Sequence, residues 1–443
     1  MRTTNSSFPL KSTEKGDYRL ATLFGFGLGL GLLKFGNPVI LNHLVTWPEN
    51  LLETIFISWP LQAALFWVVI FGMGVCRWGF PRAGHCWLFL LAPLWLVWQG
   101  ISAANSAHRH LWGITLIHFT ALLIFFETAR RWSLRLPSRG LWMGLIACFC
   151  YVLWLGFEQH FGGLEATRQA FYAQPDWQNA KPEYLLKIKS TRIFSSLVYP
   201  NALAGAILLF FPFLIVASWK HTARLSNIPR GVLLGSLIMG SGACLYWSGS
   251  KAGWLIALVL VLVPILQQPV FRRWRGLLII LIVLGGISAF AWKFQDYFAK
   301  GATSASARLI YWKSAVDITA DHPILGTGPG TFSVEFSKRK PSGAEMAKLT
   351  HNDYLEQASD SGLPGFILFS TFLIGSVIVL GRRVWVSSSG EEFGIWIGLF
   401  GYALQSFVEF GLYIPALSWA AFFLLGWLWG RLGPQPTIAK ATG

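Results

Sequence analysis

The sequence predicts an all-α polytopic membrane protein of about 12 transmembrane helices, organised as a single integral domain over residues 1–443. Three observations carry this prediction. The chain is 54% hydrophobic and only 13% charged, with a mean hydropathy of +0.50 and 23 Trp, a balance that no ordinary soluble domain needs. Apolar runs of spanning length recur from end to end, and basic residues gather in alternate intervals between them. A net charge of +16 arranged in such clusters, rather than along one soluble face, points to a bilayer as partner and to no nucleic acid.

Runs of membrane-crossing length lie near 20–40, 51–75, 85–103, 110–127, 140–158, 197–218, 231–248, 252–268, 276–293, 362–381, 393–411 and 414–430. The first run has no small-residue cleavage site after it and reads as a retained helix, not a signal peptide. Arg77 and Arg82, Arg130 to Arg139, Lys220 to Arg230, Arg272 to Arg275, and Arg382 with Arg383 fall in alternate loops, which places both termini in the cytoplasm. Cys76, Cys86, Cys148, Cys150 and Cys244 lie in or beside apolar runs without paired metal-ligand spacing, so neither a disulfide framework nor a zinc site is implied. No internal repeat or separable soluble domain is visible.

The opposite side receives a smaller segment, 159–196, and a larger one, 294–361, both longer than a turn between helices requires. Within the second, Ser306 to Ala320 predicts an amphipathic helix with Arg308, Tyr311, Trp312, Ala315 and Thr319 near one face. Gly326-Thr327-Gly328-Pro329-Gly330 then reads as a tight turn, since it lacks the Lys-Ser/Thr ending of a phosphate-binding loop. Thr350 followed three residues later by Asp353 reads as a capping box, with His351 in the first turn of a short helix and a hydrophobic helix starting near Leu363. A neutral imidazole there can accept a proton, whereas the bland reading is a His that decorates a loop end.

Arg192, Asn201, Lys251 and Arg308 stand on the same predicted side. A single basic group at a helix end often only reaches for lipid headgroups. Several on the face where cations are disfavoured instead suggest a site for a polyanion such as a lipid diphosphate. Trp177 and Tyr184 read as interfacial anchors, while Tyr311, Trp312 and Tyr354 are rings on which a sugar can also stack. Glu127, Glu158 and Glu409, inside or at the ends of spans, read as few and unpaired.

Taken in order, these motifs resemble the O-antigen ligase and O-antigen polymerase superfamily of bacterial inner-membrane glycosyltransferases, over most of 193–425. Arg192 with Tyr199-Pro200-Asn201 is similar to that family's Arg and Pro-Asn helix entry, and Ser248-Gly249-Ser250-Lys251 to its Ser-x-Ser-Arg turn. Arg308 with Trp312, followed by His322-Pro323-Ile324-Leu325-Gly326-Thr327-Gly328, is similar to its Arg-and-Trp helix and Pro-Leu-Gly-x-Gly turn. His351-Asn352 with Leu355 and Gly362-Leu363-Pro364-Gly365 is similar to its signature His helix. Lys251 departs from the family's usual Arg, keeping the charge but losing the planar fork.

The resemblance implies a GT-C-like helical fold and a periplasmic active site. It also implies transfer of an undecaprenyl-diphosphate-linked glycan to an acceptor such as lipid A-core, without a metal. Polymerases use another lipid-linked repeat, and related members glycosylate proteins or build exopolysaccharide. Such chemistry needs charge stabilisation at the leaving diphosphate and deprotonation of the attacking hydroxyl. His351 is accordingly expected as general base and Arg308 and Arg192 as diphosphate clamps. Lys251 is expected as an auxiliary cation, Asn201, Asn352 and Asp353 as positioning groups, and Trp312 as a substrate contact. A lipid-glycan flippase or transporter, the alternative of another class, needs cations along a path through the bilayer and inverted repeats.

Overall fold

The structure, a computed structural model, describes residues 12–66, 69, 86–175, 177–180, 185, 188–299, 303–386 and 389–434. The basic residues Arg77 and Arg82, Cys76 and the proposed anchor Tyr184 lie outside them. Among the described residues every regular element is helical and no strand occurs. The first half comprises α1 (Ser12–Lys34), α2 (Leu51–Phe56), α3 (Leu88–Ala104), α4 (Arg109–Trp132), α5 (Ser138–Glu158), α6 (Leu164–Tyr172), α7 (Pro200–His221) and α8 (Asn227–Ser248). The second comprises α9 (Lys251–Gln267), α10 (Arg275–Lys293), α11 (Gln295–Ala299), α12 (Thr303–Asp321), α13 (Phe332–Arg339), α14 (Asp353–Val386), α15 (Gly390–Gln405) and α16 (Pro415–Leu432).

The expected count of about 12 spans is not what the helices themselves establish. By length and apolar composition 6 helical segments among the described residues are able to cross a membrane: 109–132, 138–172, 200–221, 227–248, 275–293 and 353–386. α3 and α9 are apolar but shorter. Of the predicted run 51–75, α2 takes six residues and a short helical turn follows from Leu61, while 67, 68 and 70–75 lie outside the described residues. α10 makes the strongest physical case for a bilayer. It is apolar all round, yet the protein buries none of its residues, and Leu277, Ile280, Leu281, Leu284 and Ile287 all lie exposed. That surface in water forgoes roughly 25 cal/mol per Å² that transfer to an apolar environment would gain, so hydrocarbon is the solvent it fits.

α16 runs through the centre, packed on α4, α1, α14 and α15, and nearly every residue from Pro415 to Trp429 is buried. Around it α1 lies against α5, α7 against α15, and α3 against α14. Small residues permit the closest approach: a Cβ added to Gly144 of α5 would lie 2.6 Å from the Phe26 backbone nitrogen of α1.

One end of this bundle, its basic end, collects Arg130, Arg131, Lys220, His221 and Arg431. There Glu391 binds Lys220 at 3.0 Å and His221 at 2.6 Å, and Arg431 pairs with Glu392 at 2.7 Å and donates to the Ser133 carbonyl at 3.2 Å. Glu127, expected to be unpaired, instead binds Arg130 and Arg131, each at 2.7 Å. α7 starts at Pro200, next to Asn201, and ends at His221, 22 residues that span about 33 Å, so Asn201 belongs to the opposite end.

α14 is two helices joined at a break, where Ser361 and Gly362 leave helical geometry and Gly362 takes φ 69°. The Gly-rich turn clasps this break: Thr327 N–H donates to the Ser359 carbonyl at 3.1 Å, Gly328 N–H to that of Asp360 at 2.8 Å, and Leu363 N–H to that of Pro323 at 2.8 Å. The hydrophobic helix therefore starts at Leu363, as the sequence predicts, and a short, buried, polar helix precedes it over 353–360.

Candidate functional site

The loop after α15 delivers the group around which the site is built. Glu409 is buried, and its Oε1 accepts from Asn201 Nδ2 at 2.6 Å and from the Arg308 guanidinium, while Oε2 faces His351 Nδ1 at 3.2 Å. Burial pushes this carboxyl up. The His351 hydrogen bond and the charges of Arg308, His351 and Arg192 outweigh that and hold it below the usual carboxylate range. Glu409 is thus anionic and paired, contrary to the expectation that it stands alone.

Arg192 comes from the segment before α7. Its Nε donates to the Ser248 carbonyl at 2.7 Å and its Nη2 to Asn201 Oδ1 at 2.6 Å, so Asn201 bridges Arg192 to Glu409. Lys251 heads α9, where Ser250 caps the helix by accepting from Gly253 N–H at 3.2 Å. The ammonium lies 4.0 Å over the Tyr297 ring and 5.3 Å over that of Phe294. Burial and the nearby charges of Arg192 and Arg308 push its pKa down to about 8. Three cations, Arg192, Lys251 and Arg308, beside the single carboxylate Glu409 leave an excess of positive charge. An anion entering among them would relieve it.

The expected capping box does not form. His351 precedes the helix rather than entering it, in the left-handed conformation at φ 54°. The N-cap is Asn352, whose Oδ1 accepts from Leu355 N–H at 3.0 Å, while Thr350 Oγ1 donates to the Asn352 carbonyl at 2.7 Å. The Thr-x-x-Asp spacing was shifted by two residues because Asn caps as well as Thr, and the acid at the third position turns inward instead of back. His351 packs edge-on against Phe410 at 4.7 Å and beside Tyr311 at 6.0 Å, and among the described residues its Nε2 has no hydrogen-bond partner. Ser195, Val198 and His351 are the three non-glycine residues with positive φ among those described, and all three lie in the loops that carry the site. Strained backbone of this kind concentrates where function holds it in place.

Asn352 and Asp353 are committed to the scaffold. Asp353 is fully buried, its Oδ2 accepts from Leu412 N–H at 3.0 Å, and its own N–H donates to the Ser406 carbonyl at 2.8 Å, which pins the loop bearing Glu409. Glu356, one turn on, accepts from Thr350 N–H at 2.5 Å and so holds the His351 loop. Asp360 accepts from Gly330 N–H at 2.6 Å and from Tyr413 Oη at 2.7 Å. The buried face of the 353–360 helix thereby ties His351, Glu409 and the Gly-rich turn to one rigid element. Trp312 packs beside the aromatic cluster of Tyr311, Phe332 and Phe336, with its indole N–H buried and unpartnered among the described residues.

The structure therefore brings together Arg192, Asn201, Lys251, Arg308 and His351, drawn from five separate stretches of chain. It adds Glu409, which sequence reasoning passed over as a span-end acid. The available signal was its position in an apolar sequence, where an ionisable residue calls for a named partner.

An all-helical, membrane-suited bundle with a half-buried His paired to a buried carboxylate beside clustered cations is the class of protein these features define. Residues 234–370 match the family model described as O-antigen ligase, which supports membership of the O-antigen ligase superfamily. The matched segment contains Lys251, Arg308, Trp312, His351, Asn352 and Asp353, while Arg192, Asn201 and Glu409 lie outside it. No curated protein matches the chain.

Proposed function

We propose that this chain is a metal-independent glycosyltransferase of the O-antigen ligase kind. It moves a glycan from undecaprenyl diphosphate to a hydroxyl of lipid A-core or a comparable acceptor, at the periplasmic face of the bacterial inner membrane. The observation that carries the reading is the Glu409–His351 pair. A carboxylate on Nδ1 selects the tautomer with Nδ1–H, which leaves Nε2 as the proton acceptor. The acceptor oxygen attacks the anomeric carbon, its proton passes to Nε2, and the bond from the anomeric carbon to the diphosphate oxygen breaks. Arg192, Arg308 and Lys251 take up the charge left on the departing diphosphate. Direct displacement inverts the anomeric centre. Asn201 and Glu409 hold the two guanidiniums before substrate arrives, so little reorganisation is required.

Placement on the periplasmic face is supported by the separation of the basic end of the bundle from the site end. The test is transfer by the purified chain in detergent, given lipid-linked donor and acceptor. His351→Ala is expected to lower kcat by roughly 10²- to 10⁴-fold at unchanged membrane abundance. Wild-type transfer is expected to persist at an undiminished rate in excess EDTA, since arginines already stand where the charge develops. Full activity of His351→Ala, or EDTA-sensitive transfer restored by Mg²⁺, would overturn the mechanism.

A further inference from the structure

Arg192 also borders a cleft of about 470 Å³, lined by Gln159, His160, Arg168, Tyr246, Trp247 and Lys293 among others. The cleft exists because α5 ends in a π-helical turn, Gln159–Gly163, where Phe161 and Gly162 abandon helical angles and turn His160 outward. The His160 ring stacks on Trp247 at 3.9 Å and 11°, and Trp247 is braced edge-on by Phe157 at 4.9 Å and Phe161 at 5.6 Å. His160 is exposed, so core packing does not account for the stack. Gln159 joins this wall to the Arg192 segment, accepting from Phe194 and Ser195 N–H at 2.9 and 2.7 Å and donating to the Ser195 carbonyl at 3.0 Å.

Across the cleft Lys293 holds its ammonium 3.1 Å over the Tyr246 ring, with no carboxylate partner among the described residues. Arg168 donates to the Ile188 carbonyl at 3.1 Å and pairs with Glu165. A flat aromatic pair rimmed by hydrogen-bonding and charged side chains suits a ring that has one apolar face and many hydroxyls. An acyl chain would instead strip water from Glu165, Lys293 and the two arginines without compensation.

We propose that this cleft is a saccharide subsite, in which a hexose ring of the glycan rests on the His160–Trp247 pair beside the diphosphate bound at Arg192. The placement beside a diphosphate rests on the glycosyl-transfer reading, while the platform itself does not. The same chemistry fits the first sugars of the lipid-linked donor or the sugars of the acceptor.

Saturation-transfer NMR on the full chain in detergent separates these sources. One probe is oligosaccharide released by mild acid from the native strain's lipid-linked glycan, and the other is core oligosaccharide from its lipopolysaccharide. One of the two is expected to show transfer with wild type and with His160→Phe, which keeps a ring on Trp247, and to lose about fivefold or more with His160→Ala. In turnover His160→Ala should raise KM for that same substrate by a similar factor at nearly constant kcat. Lys293→Gln, which leaves the stack intact, should weaken the same probe. Equal signals from wild type and His160→Ala, or none from wild type with either probe, would refute the subsite. Binding that persists in a chain unable to transfer glycan would support the subsite and count against the transferase reading alone.

Discussion

His351 and Glu409 are separated by 58 residues in the chain and meet through a 3.2 Å contact, which makes the pair testable by conservative change. Glu409→Gln preserves shape and can still accept from Asn201, but it can present its amide to Nδ1 and favour the opposite tautomer. Turnover is expected to fall on the order of 10²-fold or more, with donor KM changing much less. A variant that kept wild-type kcat would show that Glu409 serves only to anchor Arg308. Lys251 supplies a separate test through pH. With its pKa pushed down to about 8, its charge is present below that pH and lost as pH rises through it. kcat/KM for the donor should therefore decline above about pH 8 as one cation disappears, and Lys251→Arg, which stays charged, should remove that limb of the profile. An identical alkaline limb in wild type and Lys251→Arg would exclude Lys251 as a diphosphate contact.

At the scale of the element, the break in α14 decides where the site stands relative to the apolar helix below it. Gly362 takes φ 69°, and a Cβ there would lie 2.2 Å from the Ile324 carbonyl oxygen, so the Gly-rich turn can clasp the break only while this position lacks a side chain. Gly362→Ala is expected to destabilise the fold by roughly 1–3 kcal/mol through backbone strain and the displaced turn. A lowered thermal midpoint in detergent, with loss of transfer, would report it; an unchanged midpoint would mean that the turn adapts. Much of this element was legible beforehand, since Gly362-Leu363-Pro364-Gly365 marks a break and Gly326 to Gly330 marks a turn. The register of its cap was not legible, because Thr350 and Asn352 offer equivalent caps and only the inward pull of Asp353 and Glu356 selects between them.

For the whole molecule, the prediction concerns sidedness. Ser342 and Ser226 are both exposed, the first near the site end and the second at the basic end beyond α7. With the five native cysteines replaced, Ser342→Cys is expected to react with an impermeant thiol reagent in intact spheroplasts and Ser226→Cys to stay protected until the membrane is opened. Matching reactivity at both positions would remove the periplasmic assignment.

Sequence alone determined that the chain is helical, suited to a membrane and polar in two intervals. It also determined that Arg192, Asn201, Lys251, Arg308 and His351 are the groups to watch. Hydropathy, charge bias and residue type are local properties, and local properties survive in a linear string. Tertiary structure alone decided that Glu409 joins Asn201, Arg308 and His351, that Asn352 caps the polar helix, and that His160 lies on Trp247. The Glu409 contacts and the His160–Trp247 stack depend on segments tens to hundreds of residues apart arriving within about 3–4 Å of one another, and the cap is selected by the long-range hold on Asp353; no periodicity along the chain encodes such distances.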